Sequence, residues 1–243
     1  MNLVIDIGNS KTKLALFRDG RIITSEQVEV FTVSLLDRMQ SEYTGITHAI
    51  LCSVRELDPS IMEYLTGAFP FFLELNKSTP LPIINAYRTP ATLGMDRLAA
   101  VVGASNIFPG KDVLVIDAGT ALTFDLVTSD NRYLGGNISP GLNMRFNALH
   151  HYTGSLPLVV EKDDFPVLGE TTEAAIVAGV EQGMVLEIDG FIDKIKAIYT
   201  DPEVILTGGD SKFFDKKLKN SIFVNQNLVL IGLNEILNFN VQQ

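Results

Sequence analysis

The stretch Val4-Ile5-Asp6-Ile7-Gly8 returns as Val115-Ile116-Asp117-Ala118-Gly119, and at the same constant offset Thr12 meets Thr123, Asp19 meets Asp130 and Arg21 meets Arg132. Each copy is an apolar run ending in Asp, a small-residue turn containing Gly, a second strand-like run and a polar turn, Arg18-Asp-Gly-Arg21 or Ser129-Asp-Asn-Arg132. That pattern predicts a hairpin followed by a third strand, at Ile22-Ile23 and at Tyr133-Leu134. A second echo pairs Ala49-Ile-Leu-Cys-Ser53 with Val204-Ile-Leu-Thr-Gly208. Short apolar runs without alternation suit strands buried on both faces. Helical patterns lie between, over residues 32–43, 59–66, 94–106, 144–150 and 172–199, and Ala174, Ala178 and Gly183 in the last predict close packing against a neighbour. A five-residue apolar match is ordinary in an α/β chain, but a shared offset that keeps both Asp and both Gly points to duplication. The expected architecture is therefore α/β, with two tandem halves, residues 1–110 and 111–243, dividing after Phe108-Pro-Gly110 and leaving a cleft between them.

With 243 residues, 46% hydrophobic and 20% charged, the chain has the profile of a globular protein able to bury a substantial core. A net charge of −10 argues against nucleic acid or an anionic membrane as partner, so phosphate binding here requires locally placed cations. Cys52 is the only cysteine, which excludes an intrachain disulfide, and its apolar surroundings His48–Val54 predict a small buried hydrophobe. The first apolar run contains Asp6 and lacks a basic flank, so it is a strand and not a leader. No run reaches the ~18 apolar residues of a membrane span, and the expected compartment is the cytoplasm.

Asp6-Ile-Gly-Asn-Ser-Lys-Thr-Lys13 has the makings of a phosphate grip. A carboxylate at a strand end can hold Mg²⁺ directly or through water, Gly8 permits close backbone approach, and an Asn-Ser turn offers amides and a hydroxyl. Alternation places one of Lys11 and Lys13 on the ligand side, with Lys13 favoured. A tight hairpin with a surface lysine explains the same residues about equally well. Asp117-Ala-Gly-Thr120 repeats the device, and two such hairpins facing each other would clamp a polyphosphate. Neither a Walker loop nor a G-x-G-x-x-G motif is present, and Gly110-Lys111-Asp112 lacks the hydroxyl a Walker loop needs. In Leu93-Gly-Met-Asp-Arg97, before an apolar helix, an Asp kept ionised by the helix dipole can accept a hydroxyl proton while Arg97 offers a fork to an anion. A surface ion pair is the plainer alternative. His150 and His151 are adjacent and do not make a metal pair.

Taken together, Asp6–Lys13, Gly94-Met-Asp-Arg97, Asp117-Ala-Gly-Thr120, Gly135-Gly-Asn-Ile-Ser-Pro-Gly141 and Thr207-Gly-Gly-Asp210 resemble type III pantothenate kinase in order and spacing over nearly the whole chain. The resemblance implies two tandem ribonuclease-H-like domains, as in sugar kinases, acetate kinase and actin. It implies phosphorylation of pantothenate by ATP, a homodimer with the substrate site at its interface, and a need for Mg²⁺ and for K⁺ or NH₄⁺. Carried over by motif, Asp6, Ile7, Gly8, Asn9, Ser10, Lys11, Thr12 and Lys13 form the ATP loop, with Asp6 toward Mg²⁺. Thr120 touches ATP, Asp117 ligates the monovalent cation and Asp96 is the general base. Tyr87, Gly94, Met95, Asp96, Arg97 and Thr172 bind substrate, the segment around Tyr87 being the loosest match. Ser10 and Met95 stand where the family more often has Thr and Ala. The alternatives are a kinase for another small hydroxy acid or sugar, and an actin-like nucleotide-binding regulator without an acceptor.

Overall fold

The computed structural model describes residues 1–242. The chain forms two compact units: Met1–Ile107, Asn131–Tyr133 and the residues from Asn227 on, and then Phe108–Asp130 with Leu134–Gln226.

The first unit opens with an antiparallel meander of β1 (Asn2–Ile7), β2 (Thr12–Arg18) and β3 (Arg21–Val28). The β2–β3 turn places Asp19 and Gly20 at positive φ (51° and 74°), the conformation that matches strand twist in a two-residue hairpin. Helix α1 (Val33–Glu42) is capped by Thr32, and α2 (Pro59–Ala68) by Asp58 with Pro59 at its first position. Helix α1 leads from β3 into β4 (His48–Ser53) and α2 from β4 into β5 (Phe71–Glu74), giving the sheet order β3-β2-β1-β4-β5. Leu3, Ile5, Ile7, Leu14 and Leu16 bury one sheet face against Leu36, Met39, Ile61 and Leu65 of α1 and α2. Strand alternation turns Asp6 and Lys13 to the other face.

A short β6 (Ile84–Asn85) leads to α3 (Met95–Ile107), which is buried continuously from Arg97 to Ala104. The last helix, α7 (Leu228–Val241), crosses α3 at backbone contact. A Cβ on Gly103 would lie 2.4 Å from the Leu228 carbonyl oxygen, and one on Gly232 would lie 1.7 Å from that of Ala99. Along residues 172–199 the close packing falls at the start, where a Cβ on Gly169 would lie 2.1 Å from the Ala175 backbone nitrogen, while Gly183 has nothing within 4 Å of its would-be Cβ. Helix α7 escaped the sequence reading because Leu228-Val-Leu-Ile-Gly-Leu233 is apolar all round and shows no helical stripe.

The second unit repeats the meander in β7 (Val113–Ala118), β8 (Ala121–Val127) and β9 (Arg132–Pro140), the last beginning in residues of the first unit. Helices α4 (Leu142–Tyr152) and α5 (Thr172–Lys196) precede β10 (Glu203–Thr207), α6 (Ser211–Asp215) and β11 (Phe223–Val224). The sheet order is β11-β10-β7-β8-β9-β6, with β6 paired to Arg132 and Tyr133. Leu114, Ile116, Phe124 and Leu126 pack on Ile176, Val180, Met184 and Ile188 of α5. Gly135 and Gly136 lie within β9 and not at a turn. A Cβ on Gly136 would fall 1.7 Å from the Phe124 carbonyl oxygen, so only glycine lets β9 pass this close to β8.

The duplication holds in strand order but slips by one residue in register. Asp6 pairs with Lys13 and Ile7 with Thr12 across residues 8–11, whereas Asp117 pairs with Thr123 and Ala118 with Leu122 across residues 119–121. The second turn is one residue shorter, so Thr123 occupies the place of Lys13 and not that of Thr12. The parallel neighbours keep the register of the second echo, with Asp6 beside Cys52 and Asp117 beside Thr207.

Candidate active site

Asp6 sits at the carboxyl end of β1, flanked by Lys13 on β2 and Cys52 on β4. Burial raises its pKa from 3.8 to about 6, the Lys13 ammonium pulls it back down, and the charge of Asp96 adds a further push upward. Asp96 is therefore close by, in the first turn of α3. Its Oδ1 accepts the Arg97 amide at 2.8 Å, and among the described residues Oδ2 takes no hydrogen bond. A Cβ on Gly94 would lie 2.4 Å from that Oδ1, so any side chain there would push the carboxylate from its place over the helix start. Cys52 is fully buried, and burial together with Asp6 and Asp96 drives its thiol pKa well up.

Gly8, Asn9, Ser10 and Lys11 form the turn, closed by the Gly8 amide donating to the Lys11 carbonyl at 3.0 Å. Asn9, Ser10 and Lys11 are exposed, while Ile7 and Thr12 are buried at its base. Arg97 is only 8% exposed, and its guanidinium lies 5.9 Å from the centre of the Tyr87 ring. The structure thus brings Tyr87, the loosest of the sequence-predicted positions, to Arg97, with Met95 at the start of the same helix.

In the second unit Asp117 and Thr120 belong to the shorter hairpin, closed by the Gly119 amide donating to the Ala121 carbonyl at 3.1 Å. Two further segments meet it. A Cβ on Gly141, which precedes α4, would lie 2.4 Å from both the Gly119 and Thr120 carbonyl oxygens. At Gly208, where φ is +94°, a Cβ would lie 2.4 Å from the Ala118 carbonyl oxygen and 2.5 Å from Asp117 Oδ1. The Asp210 amide donates to Ala118 at 2.9 Å. The uncapped amino end of α4 and the Gly208-Gly209 turn therefore converge on the hairpin, leaving helix amides beside it. The sequence flagged these glycines but not their contact with Asp117-Ala-Gly-Thr120. Thr172 is the exposed first residue of α5, next to Thr171, whose hydroxyl accepts the Ala174 amide at 3.2 Å.

Two carboxylate-bearing glycine hairpins on duplicated α/β units make the fold one of two tandem ribonuclease-H-like domains, shared with solved kinases. A solved structure from Campylobacter jejuni, described as a Baf family transcriptional activator, aligns with a TM-score of 0.64 at 22% identity, covering 99% of this chain and all of that one. An inorganic polyphosphate/ATP-glucomannokinase from Arthrobacter sp. strain KM aligns with a TM-score of 0.51 at 15% identity, covering 99% and 98%. Residues 2–194 match the family model for type III pantothenate kinase. A type III pantothenate kinase from Phocaeicola vulgatus is 48% identical over 241 residues, 99% of each chain. The chain belongs to the type III pantothenate kinase family and is a kinase.

Proposed function

We propose that Asp96 is the general base in the phosphorylation of pantothenate by ATP, the coenzyme A biosynthetic step that family membership gives this chain. The carrying observation is the cluster on the first unit. Asp96 is held at the start of α3 by the Arg97 amide, close enough to Asp6 to shift its titration, with Arg97 fixed beneath Tyr87. Oδ2 of Asp96 orients the primary hydroxyl of pantothenate and takes its proton as the new P–O bond forms and ADP leaves. Arg97 reads the pantothenate carboxylate, with Tyr87, Gly94, Met95 and Thr172 completing the acceptor site.

Residues 6–13 bind the ATP phosphates through the turn amides and hydroxyl and through Lys13, and Thr120 meets ATP from the second hairpin. The desolvated carboxylate of Asp6, at a raised pKa, fits a Mg²⁺ ion carried in on the phosphates, where the ion screens their charge. Asp117 lies in register with Thr123 and Thr207, and a carboxylate with two threonine hydroxyls is a donor set that fits K⁺ or NH₄⁺.

A homodimer is part of the same proposal, as is work in the cytoplasm on ATP and pantothenate, with the halves dividing near residue 110. Among the described residues no helix is long and apolar enough to cross a membrane. The dimer is supported by apolar side chains left exposed on the second unit: Ile138, Met144, Tyr152, Val167, Leu168 and Leu186. Arg145 bonds to Pro140, Ser139 and Glu187, which puts Ile138, Met144 and Leu186 in one neighbourhood. A coupled ADP-release assay with and without pantothenate tests the activity. ADP release should depend on pantothenate, and release indifferent to any acceptor would leave only a nucleotide-binding module.

A further inference from the structure

We propose that Tyr133 is a positioning residue for the acceptor site, holding the Tyr87 ring against the Arg97 guanidinium and so aiming the fork that reads the acceptor's carboxylate. The inference rests on the assignment of Arg97 to that carboxylate. Tyr87 follows a two-residue strand with little support of its own, and its support comes from residues 131–133. The Ile84 amide donates to Asn131 at 2.8 Å and the Ala86 amide to Tyr133 at 3.0 Å, while the Tyr87 amide turns back onto Asn85 Oδ1 at 3.0 Å. The Tyr133 ring stacks on that of Tyr87 at 5.9 Å between centres and 14° between planes. Tyr133 is the one fully buried side chain of β9, a platform that does not move with solvent.

The same short segment also grips the helix that carries Arg97. Ser105 of α3 donates to Asn131 Oδ1 at 2.6 Å, and Asn131 holds a left-handed φ of 59°. Asn131 to Tyr133 therefore tie the Tyr87 segment and α3 to one point, and the stack sets how the ring and the guanidinium meet. The role proposed belongs to the aromatic ring stacked on Tyr87.

The test compares pantothenate with pantothenol, which keeps the hydroxyl and lacks the carboxylate. Tyr133→Leu should raise KM for pantothenate roughly 2- to 12-fold, the span expected for a lost aromatic stack, with KM for ATP unchanged. The preference for acid over alcohol should shrink by the same factor, and Tyr133→Phe should restore both. In a Tyr87→Leu background, where the stack is already gone, Tyr133→Leu should not reduce the preference further. Equal losses on both acceptors, or a second loss in the Tyr87→Leu background, would overturn the role. Should Tyr133→Leu not fold, Tyr133→Met takes its place in the same comparison. If Arg97→Met itself leaves the acid preference intact, the carboxylate assignment fails. If Arg97→Met abolishes the preference and loss of the Tyr133 ring does not alter it, only the Tyr133 inference fails.

Discussion

The first hairpin sets Asp6 between Lys13 and Cys52, and the second sets Asp117 between Thr123 and Thr207. One duplicated element thus presents two carboxylates with different strand neighbours. Asp6 has an internal ammonium across the strand and a second carboxylate, Asp96, nearby. Asp117 has hydroxyl-bearing strand neighbours on both sides. A turn one residue shorter produces the difference, because it moves Thr123 and not a lysine into register with the aspartate.

The largest effect expected falls on the first hairpin's neighbourhood. Asp96→Asn should lower turnover by roughly 10²-fold or more while leaving ATP and pantothenate binding largely intact. It should also lower the pKa of Asp6, since Asp96 is one of the groups that raise it, without altering the response to monovalent cations. Near wild-type turnover in a variant shown to be folded by circular dichroism would remove Asp96 from the chemistry.

Next in size is the cation asymmetry. Activity in K⁺ or NH₄⁺ should exceed that in Na⁺ or Tris by roughly tenfold, about 1.4 kcal/mol. Thr123→Lys writes the first hairpin's solution into the second by placing an ammonium opposite Asp117, and the salt preference should vanish. A variant that keeps the K⁺ preference would show that Asp117 is not where the ion acts.

The third effect is on stability. Asp6 has a folded pKa of about 6 against 3.8, so the folded state binds more protons between those values and loses stability as pH rises through that window. The full penalty, up to about 3 kcal/mol, is present above pH 6 and absent below pH 4. Asp6→Asn should raise the melting temperature at pH 8 and leave it unchanged near pH 3. A gain of the same size at both pH values would assign it to packing and not to the charge.

The two hairpins were legible because an apolar run, Asp and Gly is a short local pattern, and α3 because Asp96 and Arg97 open an apolar helix. The register slip was not, since Thr12 and Thr123 match as letters and only pairing across the turn reveals which residue faces Asp117. Gly136, Gly141 and Gly208 could be flagged but not assigned, because their necessity lies in carbonyl oxygens brought close by distant chain segments. Tyr133 reads in sequence as an ordinary strand residue, and its stack on Tyr87 spans a separation that no local pattern encodes.

The smallest effect tests whether the hairpins are interconvertible at one atom. Cys52 occupies beside Asp6 the register position that Thr207 occupies beside Asp117, and both side chains are buried. Cys52→Thr therefore installs in the first unit a residue whose fit beside the aspartate the second unit already demonstrates. The native thiol is a weak donor with its pKa pushed up, whereas a hydroxyl donates well to a carboxylate and favours its ionised form. A charge-assisted hydrogen bond at the low end of its range, about 1.5 kcal/mol, corresponds to roughly one pKa unit. The acid limb of kcat/KM for ATP, expected near pH 6 from Asp6, should move down by about that much, with the plateau rate unchanged. Cys52→Ala, which removes the thiol without adding a donor, should leave the limb in place. Equal displacement in the two variants would mean that burial alone, and not the identity of the neighbour, sets the titration of Asp6.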